Sequence, residues 1–259
     1  MVAGRSGRSQ KRRLILNQIP FNRRRGCYNS SLFCLLGLCM SYTIKGLLKR
    51  PVHLFHKPPA VVGEYPARGE LYYVKGSNGS GKSTVPSWMA ENDPQAYVVT
   101  HNGKVMLTVC PSFNIICVGK YDKSKSKGVD SLKDTEQMLF AVSITEQPEY
   151  IGYDVIFEGI IPATLLNTWI ERLNRPTRRL VVLFLDTPKE VCLARVSSRN
   201  GGEDFKHELV LEKWKRVNSH RERHKELFPN IPAGMMKSNG LTVDQAVSAF
   251  LNRDFGSID

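Results

Sequence analysis

The first 63 residues contain no aspartate or glutamate. Twelve of the chain's 37 Lys and Arg residues fall there, so the formal charge of +13 belongs mostly to this one segment. From Glu64 onward 25 basic residues face 24 acidic ones, a net charge of +1. Overall basicity is therefore no argument for a nucleic-acid partner, which has to be read from local patches or from the leader. The leader also lacks an apolar run of membrane-spanning length. Residues 32–40 are apolar over nine positions, where a hydrocarbon core asks for about 20, so no membrane role is expected. No clear small-residue cleavage pattern of a signal peptide follows them. The six cysteines include no C-x-x-C pair and no histidine at zinc-ligand spacing, which excludes the common zinc modules. Cys110, Cys117 and Cys192 lie inside apolar stretches, as reduced core thiols do, and point to a reducing, cytoplasmic compartment. Internal repeats are absent, and the one biased tract is a lysine-rich loop over residues 119–130.

What is present is a phosphate loop. Residues 76–84 read Gly-Ser-Asn-Gly-Ser-Gly-Lys-Ser-Thr, directly behind the apolar run Leu71, Tyr72, Tyr73, Val74. A short buried strand, then a glycine loop opening a helix, suits a nucleoside triphosphate. Gly76, Gly79 and Gly81 let the backbone curl so that its N–H groups, with those of Ser77, Asn78 and Ser80, and the helix N-terminus face phosphate oxygens. Lys82 would neutralise the outer phosphates, while the hydroxyl of Ser83, beside Thr84, would take one position on Mg²⁺. The expected cofactors are ATP and Mg²⁺.

Further along, the pattern predicts a helix over residues 82–91, strands over 96–100, 104–109 and 114–119, and a helix over 131–142. It continues with a strand over 154–158, a helix over 163–173 and a fully apolar strand over 180–185. Helices over 190–198 and 206–226, a strand over 233–237 and a helix capped by Thr242 complete it. Continuous apolar strands alternating with helices predict an α/β fold, a three-layer sandwich of the P-loop NTPase type with a mainly parallel sheet and a helical lid. The ligand site is then expected at the carboxyl ends of the strands. Residues 64–259 form the expected catalytic domain; residues 1–63 read as a basic leader outside the fold, and Met40 as the initiator.

Glu158 ends a buried strand and precedes Gly159, so its carboxylate should emerge beside the phosphate loop, to order a metal-bound water or accept the proton of an attacking hydroxyl. A strand-end acid that caps the next helix is the alternative. Arg195 and Arg199 lie four apart on one helix and meet the pair Gly201, Gly202, as a charged flap over a transferred phosphoryl would. Asp130 can hold a substrate hydroxyl, and Tyr121 with the loop lysines can hold a phosphate backbone or stack on a base, unless that loop is merely solvated. The basic run from Lys213 to Lys225 meets Glu212, Glu222 and Glu226 at helical spacing and reads as a solvated face.

These pieces, in this order, resemble the P-loop kinases of the nucleotide kinase type. More narrowly, Gly119-Lys-Tyr121, Gly128-Val-Asp130, Glu158-Gly-Ile-Ile-Pro162 and Arg199-Asn-Gly-Gly202 resemble phage kinases related to thymidylate kinase. That group includes enzymes acting on 5-hydroxymethyluracil in phage DNA. The resemblance covers about residues 68–252 and implies ATP-dependent phosphoryl transfer to a hydroxyl of a nucleotide or DNA partner in the host cytoplasm. Lys82, Glu158, Asp130 and Arg199 would be catalytic, Arg195 would join the loop on ATP, and Ser83 with Glu158 would hold the metal. A free nucleotide kinase, an acceptor-free NTPase and a sugar-nucleotide kinase of the zeta-toxin type are the competing readings.

Overall fold

The computed structural model describes residues 13–15, 69–122, 126–165, 167–201 and 206–258. Of the leader only Arg13–Ile15 is among them; Met40, Gly202, Lys123 and Lys125 lie outside the described residues.

Among the described residues eight strands form one sheet: β1 (Arg13–Ile15), β2 (Leu71–Lys75), β3 (Tyr97–His101), β4 (Lys104–Cys110), β5 (Ile115–Val118), β6 (Asp154–Glu158), β7 (Leu180–Asp186) and β8 (Ala233–Lys237). Their order is β1-β3-β4-β5-β6-β2-β7-β8. β4 pairs antiparallel with β3 and β5, and every other pairing is parallel. The antiparallel excursion between β3 and β5 is the one expected from three short strands separated by turns. The helices are α1 (Thr84–Asn92), α2 (Thr135–Ile144), α3 (Ile160–Ala163), α4 (Asn167–Leu173), α5 (Lys189–Arg199), α6 (His207–Leu227) and α7 (Val243–Leu251).

The strand period of two divides the core into two layers. Leu71 and Tyr73 of β2, Val155 and Phe157 of β6, and Leu180, Val182 and Phe184 of β7 meet α2, α4 and α6 through Met138, Trp169, Ile170 and Val217. Tyr72, Val74, Ile156, Val181 and Leu183 point the other way, onto Val85 and Met89 of α1 and Val247 and Phe250 of α7. Covering both faces is what makes the strands read as unbroken apolar runs. The last helix starts where its sequence says: Thr242 and Gln245 form a reciprocal capping box.

Two expected helices differ. The expected helix over 131–142 begins at Thr135 instead, because Lys133 adopts φ +63° and the Asp134 carboxylate caps the helix through Glu136 N–H. The expected helix over 163–173 starts only at Asn167, as α4, and Ala163 instead ends the short α3. Tyr73 Oη donates to Pro162 O at 2.5 Å and Lys75 Nζ to Leu165 O at 3.0 Å, so side chains from β2 claim the carbonyls of the break.

The opposite end of the sheet is tied by Arg178, which is 3 % exposed. Its guanidinium donates to Thr145 O at 2.7 Å, Tyr150 O at 2.6 Å, Gly69 O at 3.3 Å, and also to Tyr153 O. Arg178→Met keeps the length and removes the donors, leaving carbonyls unpaired in a buried place. The expected loss is about 3 kcal/mol or more in urea unfolding; a change under about 0.5 kcal/mol would show that these bonds contribute nothing net.

Candidate active site

The parallel order brings the carboxyl ends of β2, β5, β6, β7 and β8 to one edge, and the expected site residues gather there. The loop after β2 closes on the carbonyl of Ser77, which accepts from Ser80 N–H at 3.3 Å, Ser80 Oγ at 2.8 Å and Lys82 Nζ at 2.8 Å. Gly79 and Gly81 take φ +76° and +96°. A Cβ at Gly79 would also stand 2.3 Å from Cys192 O, so α5 packs on the loop at a distance only glycine allows. α1 starts at Thr84, with Ser83 as its N-cap residue, which aims a positive helix end into the loop.

Glu158 sits beside it, 1 % exposed. Its Oε1 accepts from Ser83 Oγ at 3.0 Å and from Tyr121 Oη at 2.9 Å. Burial raises the carboxyl above the usual carboxylate range, against the pull of the Lys82 charge and the two hydroxyl hydrogen bonds. Burial likewise lowers the Lys82 ammonium, which Glu158 and Asp130 support and the charge of Lys213 opposes. Glu158 does not cap the following helix. Asp130 does, its two carboxylate oxygens accepting Ile160 N–H at 2.6 Å and Ile161 N–H at 3.1 Å. The capping task is thus met from a different loop, and the strand-end acid is left facing Ser83.

Tyr121 departs from expectation. It is 3 % exposed, so its ring lies in the core instead of offering a face to a base. The lysine loop is pinched at its neck by a Lys120–Gly128 bridge, with Gly128 N–H on Lys120 O at 3.0 Å. A Cβ at Gly128, which has φ +61°, would fall 2.3 Å from Glu158 Oε1. The neck therefore lies directly against the acid.

Arg195 joins the loop to the end of β8, with Nη1 donating to Gly79 O at 3.3 Å and Nη2 to Ser238 O at 3.1 Å. Arg199 ends the same helix, exposed. Three residues of the site carry no motif. Thr187 Oγ1 donates to Ser80 O at 3.0 Å, and its carbonyl accepts Trp214 Nε1–H at 2.8 Å, which fixes α6 against the phosphate loop. Lys213 stands beside Trp214 in the stripe between the buried Val210 and Val217, on the side of α6 that faces the loop. A lysine on a core-facing stripe was the available signal.

A family model described as 5-hmdU DNA kinase matches residues 53–248. The chain belongs to this family. It is 80% identical over 220 residues to 5-hmdU DNA kinase 1 of Salmonella phage ViI, covering 85% of this chain and 100% of the phage protein. Against the 5-hmdU DNA kinase of Pseudomonas phage M6 it is 31% identical over 163 residues, 58% of this chain and 82% of that one. Among solved structures it aligns with deoxyadenosine kinase from M. mycoides with bound dATP at 16% identity and a TM-score of 0.36, covering 71% of this chain and 98% of that one. Among the described residues no helix is long and apolar enough to cross a membrane.

The buried acid of this family member makes a signed pH claim. Its folded value lies above the unfolded one, about 4.3, so the native state holds the proton longer. Stability contributed by the neutral form is present below the unfolded value and lost as pH rises through the raised one. Glu158→Gln stays neutral throughout. It is expected to melt no lower than the parent protein at about pH 8, while turnover falls about 10²-fold or more. A variant that is less stable and fully active would contradict both statements.

Proposed function

We propose that the protein transfers the γ-phosphoryl of ATP to the hydroxymethyl oxygen of 5-hydroxymethyluracil in DNA. The observation carrying this reading is the contact of Glu158 Oε1 with Ser83 Oγ at 3.0 Å. It joins the hydroxyl that follows the loop lysine to a buried carboxylate, where an acceptor hydroxyl would meet the outermost phosphate. The phage relatives, themselves 5-hmdU DNA kinases, support the DNA acceptor.

Lys82 and the backbone of residues 76–84 hold the triphosphate, and Arg195 extends the grip toward the end of β8. Ser83 and Glu158 present hard oxygen donors, the set that Mg²⁺ takes alongside phosphates and waters. The metal, when bound, neutralises charge on the phosphates. Glu158 orients the hydroxymethyl group and accepts its proton. The hydroxymethyl oxygen bonds to the γ-phosphorus as the bond from that phosphorus to the β–γ bridging oxygen breaks, and ADP leaves. Asp130 acts at one remove, fixing the start of α3 beside Glu158. Arg199, at the end of α5, supplies charge from the lid.

Incubation with γ-labelled ATP and oligonucleotides bearing one 5-hydroxymethyluracil tests the acceptor. Label is expected on that oligonucleotide and neither on its thymine counterpart nor on free nucleotides; label confined to free nucleotides would overturn the assignment.

Lys213 is the charge that the lid helix brings toward Lys82. Near a γ-phosphoryl, two mutually opposing ammonium groups become two partners of one anion, most strongly as charge spreads in the transition state. Lys213→Met is expected to lower kcat about 10²-fold with KM for ATP changed less than about threefold, and Lys213→Arg to recover part of it. Equal kcat in all three proteins would remove Lys213 from the reaction.

A further inference from the structure

The geometry points to a base taken out of the DNA stack, with Ile161 and Leu165 entering the gap it leaves. This deepens the DNA reading and rests on it.

The first ground is the depth of the acid. Glu158 is 1 % exposed and has the Gly128 neck, α3 and the phosphate loop packed around it, with α6 held across the loop by the Trp214 to Thr187 bond. An acceptor oxygen has to come within about 3–3.5 Å of the γ-phosphorus. A base left in a duplex presents its C5 substituent at the floor of a major groove about 12 Å wide and about 8.5 Å deep. One helix with its side chains is about 10–12 Å across. A site walled by α3 and the neck on one side and by α6 on the other cannot enter that groove, so the nucleotide has to come to the site.

The second ground is what stands at the rim. Among the described residues five large hydrophobic side chains are exposed, and Ile161 and Leu165, at 42% and 41%, are two of them. Single exposed apolar residues call for no explanation. These two lie three and seven residues beyond Glu158, Ile161 in α3 and Leu165 two residues past its end, where Leu165 N–H still donates to Pro162 O at 3.0 Å. The backbone beneath them is held at four points: Ile160 N–H and Ile161 N–H on Asp130, Pro162 O under Tyr73 Oη, and Leu165 O under Lys75 Nζ. Lys75 is wholly buried, and its ammonium bonds Tyr73 Oη and this turn. Apolar side chains on a rigid mount are what enzymes and architectural proteins insert between base steps, since the wedge replaces stacking that the extruded base gives up. A third exposed apolar side chain, Leu209, stands one turn before Lys213 on α6.

The test compares one 5-hydroxymethyluracil in three settings: a single strand, a duplex opposite adenine, and a duplex opposite a mismatch. The parent protein is expected to act faster on the mismatched duplex than on the paired one, and 2-aminopurine next to the target is expected to brighten when the paired duplex binds. In the double variant Ile161→Ala, Leu165→Ala, activity on the paired duplex should fall at least tenfold and on the single strand less than threefold, and the brightening should be lost. Both side chains are exposed, and an unchanged melting temperature checks the fold. Equal losses on single strand and duplex, or a parent enzyme indifferent to the opposing base and giving no brightening, would overturn the wedge while leaving the DNA acceptor intact. Transfer to free nucleotides alone would overturn the acceptor and the wedge together.

Discussion

One hydrogen bond, from Ser83 to Glu158, holds the two halves of the site in register. Ser83 belongs to the first turn after the phosphate loop and Glu158 to the last residue of the neighbouring strand, and the bond spans 75 residues of sequence. Much of the local backbone follows from keeping this carboxylate buried. A buried carboxylate needs donors, and the Tyr121 hydroxyl supplies the second. Tyr121 reaches it only because the chain after β5 doubles back, and that turn requires Gly119 at φ +91° and Gly128 at +61°. A Cβ at Gly119 would stand 2.0 Å from Gly128 O, so neither position accepts a side chain without moving the neck off the acid. The glycines of the lysine loop are thus consequences of the buried acid.

The sheet order sorts the site residues into two groups. β2 lies between β6 and β7; the connection from β2 runs toward β3 on the β6 side, and the connection from β6 crosses to β7 on the other. On the β7 side stand Thr187, Arg195 and Ser238, all in contact with the phosphate loop or with each other through hydrogen bonds. On the β6 side stand Glu158, Asp130 and the neck. The two groups flank the carboxyl end of β2, the place where open α/β sheets form their ligand crevices.

Legibility in the sequence followed the range of the interaction. The phosphate loop was readable in full because all its constraints lie within nine consecutive residues, and the strands because burial on two faces leaves continuous apolar runs. Glu158 was placed correctly by a local rule, an acid at the end of a buried strand. Asp130 was recognised as meaningful but its partners were not, since the N–H groups that donate to its carboxylate lie 30 and 31 residues away. Tyr121 looked like a stacking platform because an aromatic between lysines does not reveal which way it points. The break between α3 and α4 was invisible for the same reason. Residues 163–173 have an acceptable helical pattern, and what ends it is a tyrosine and a lysine on a strand some 90 residues earlier.

That lysine closes the argument about rigidity. Lys75 lies between Tyr73 Oη at 3.2 Å and Leu165 O at 3.0 Å, with burial pulling its ammonium down to about 7. Facing it from α6 are His220 and His224; burial and the Lys75 charge hold both imidazoles below their ordinary value, His220 at about 4. Three basic groups packed together would repel if all were charged, and the two histidines avoid this by staying neutral at physiological pH. For each histidine the folded value lies below the unfolded one, so its contribution is intact at neutral pH and is lost as pH falls from about 6.5 toward the lowered value. The sign is opposite to that of Glu158, whose neutral form gains as pH falls. Acid therefore loosens the floor under α3 while relaxing the acid next to it.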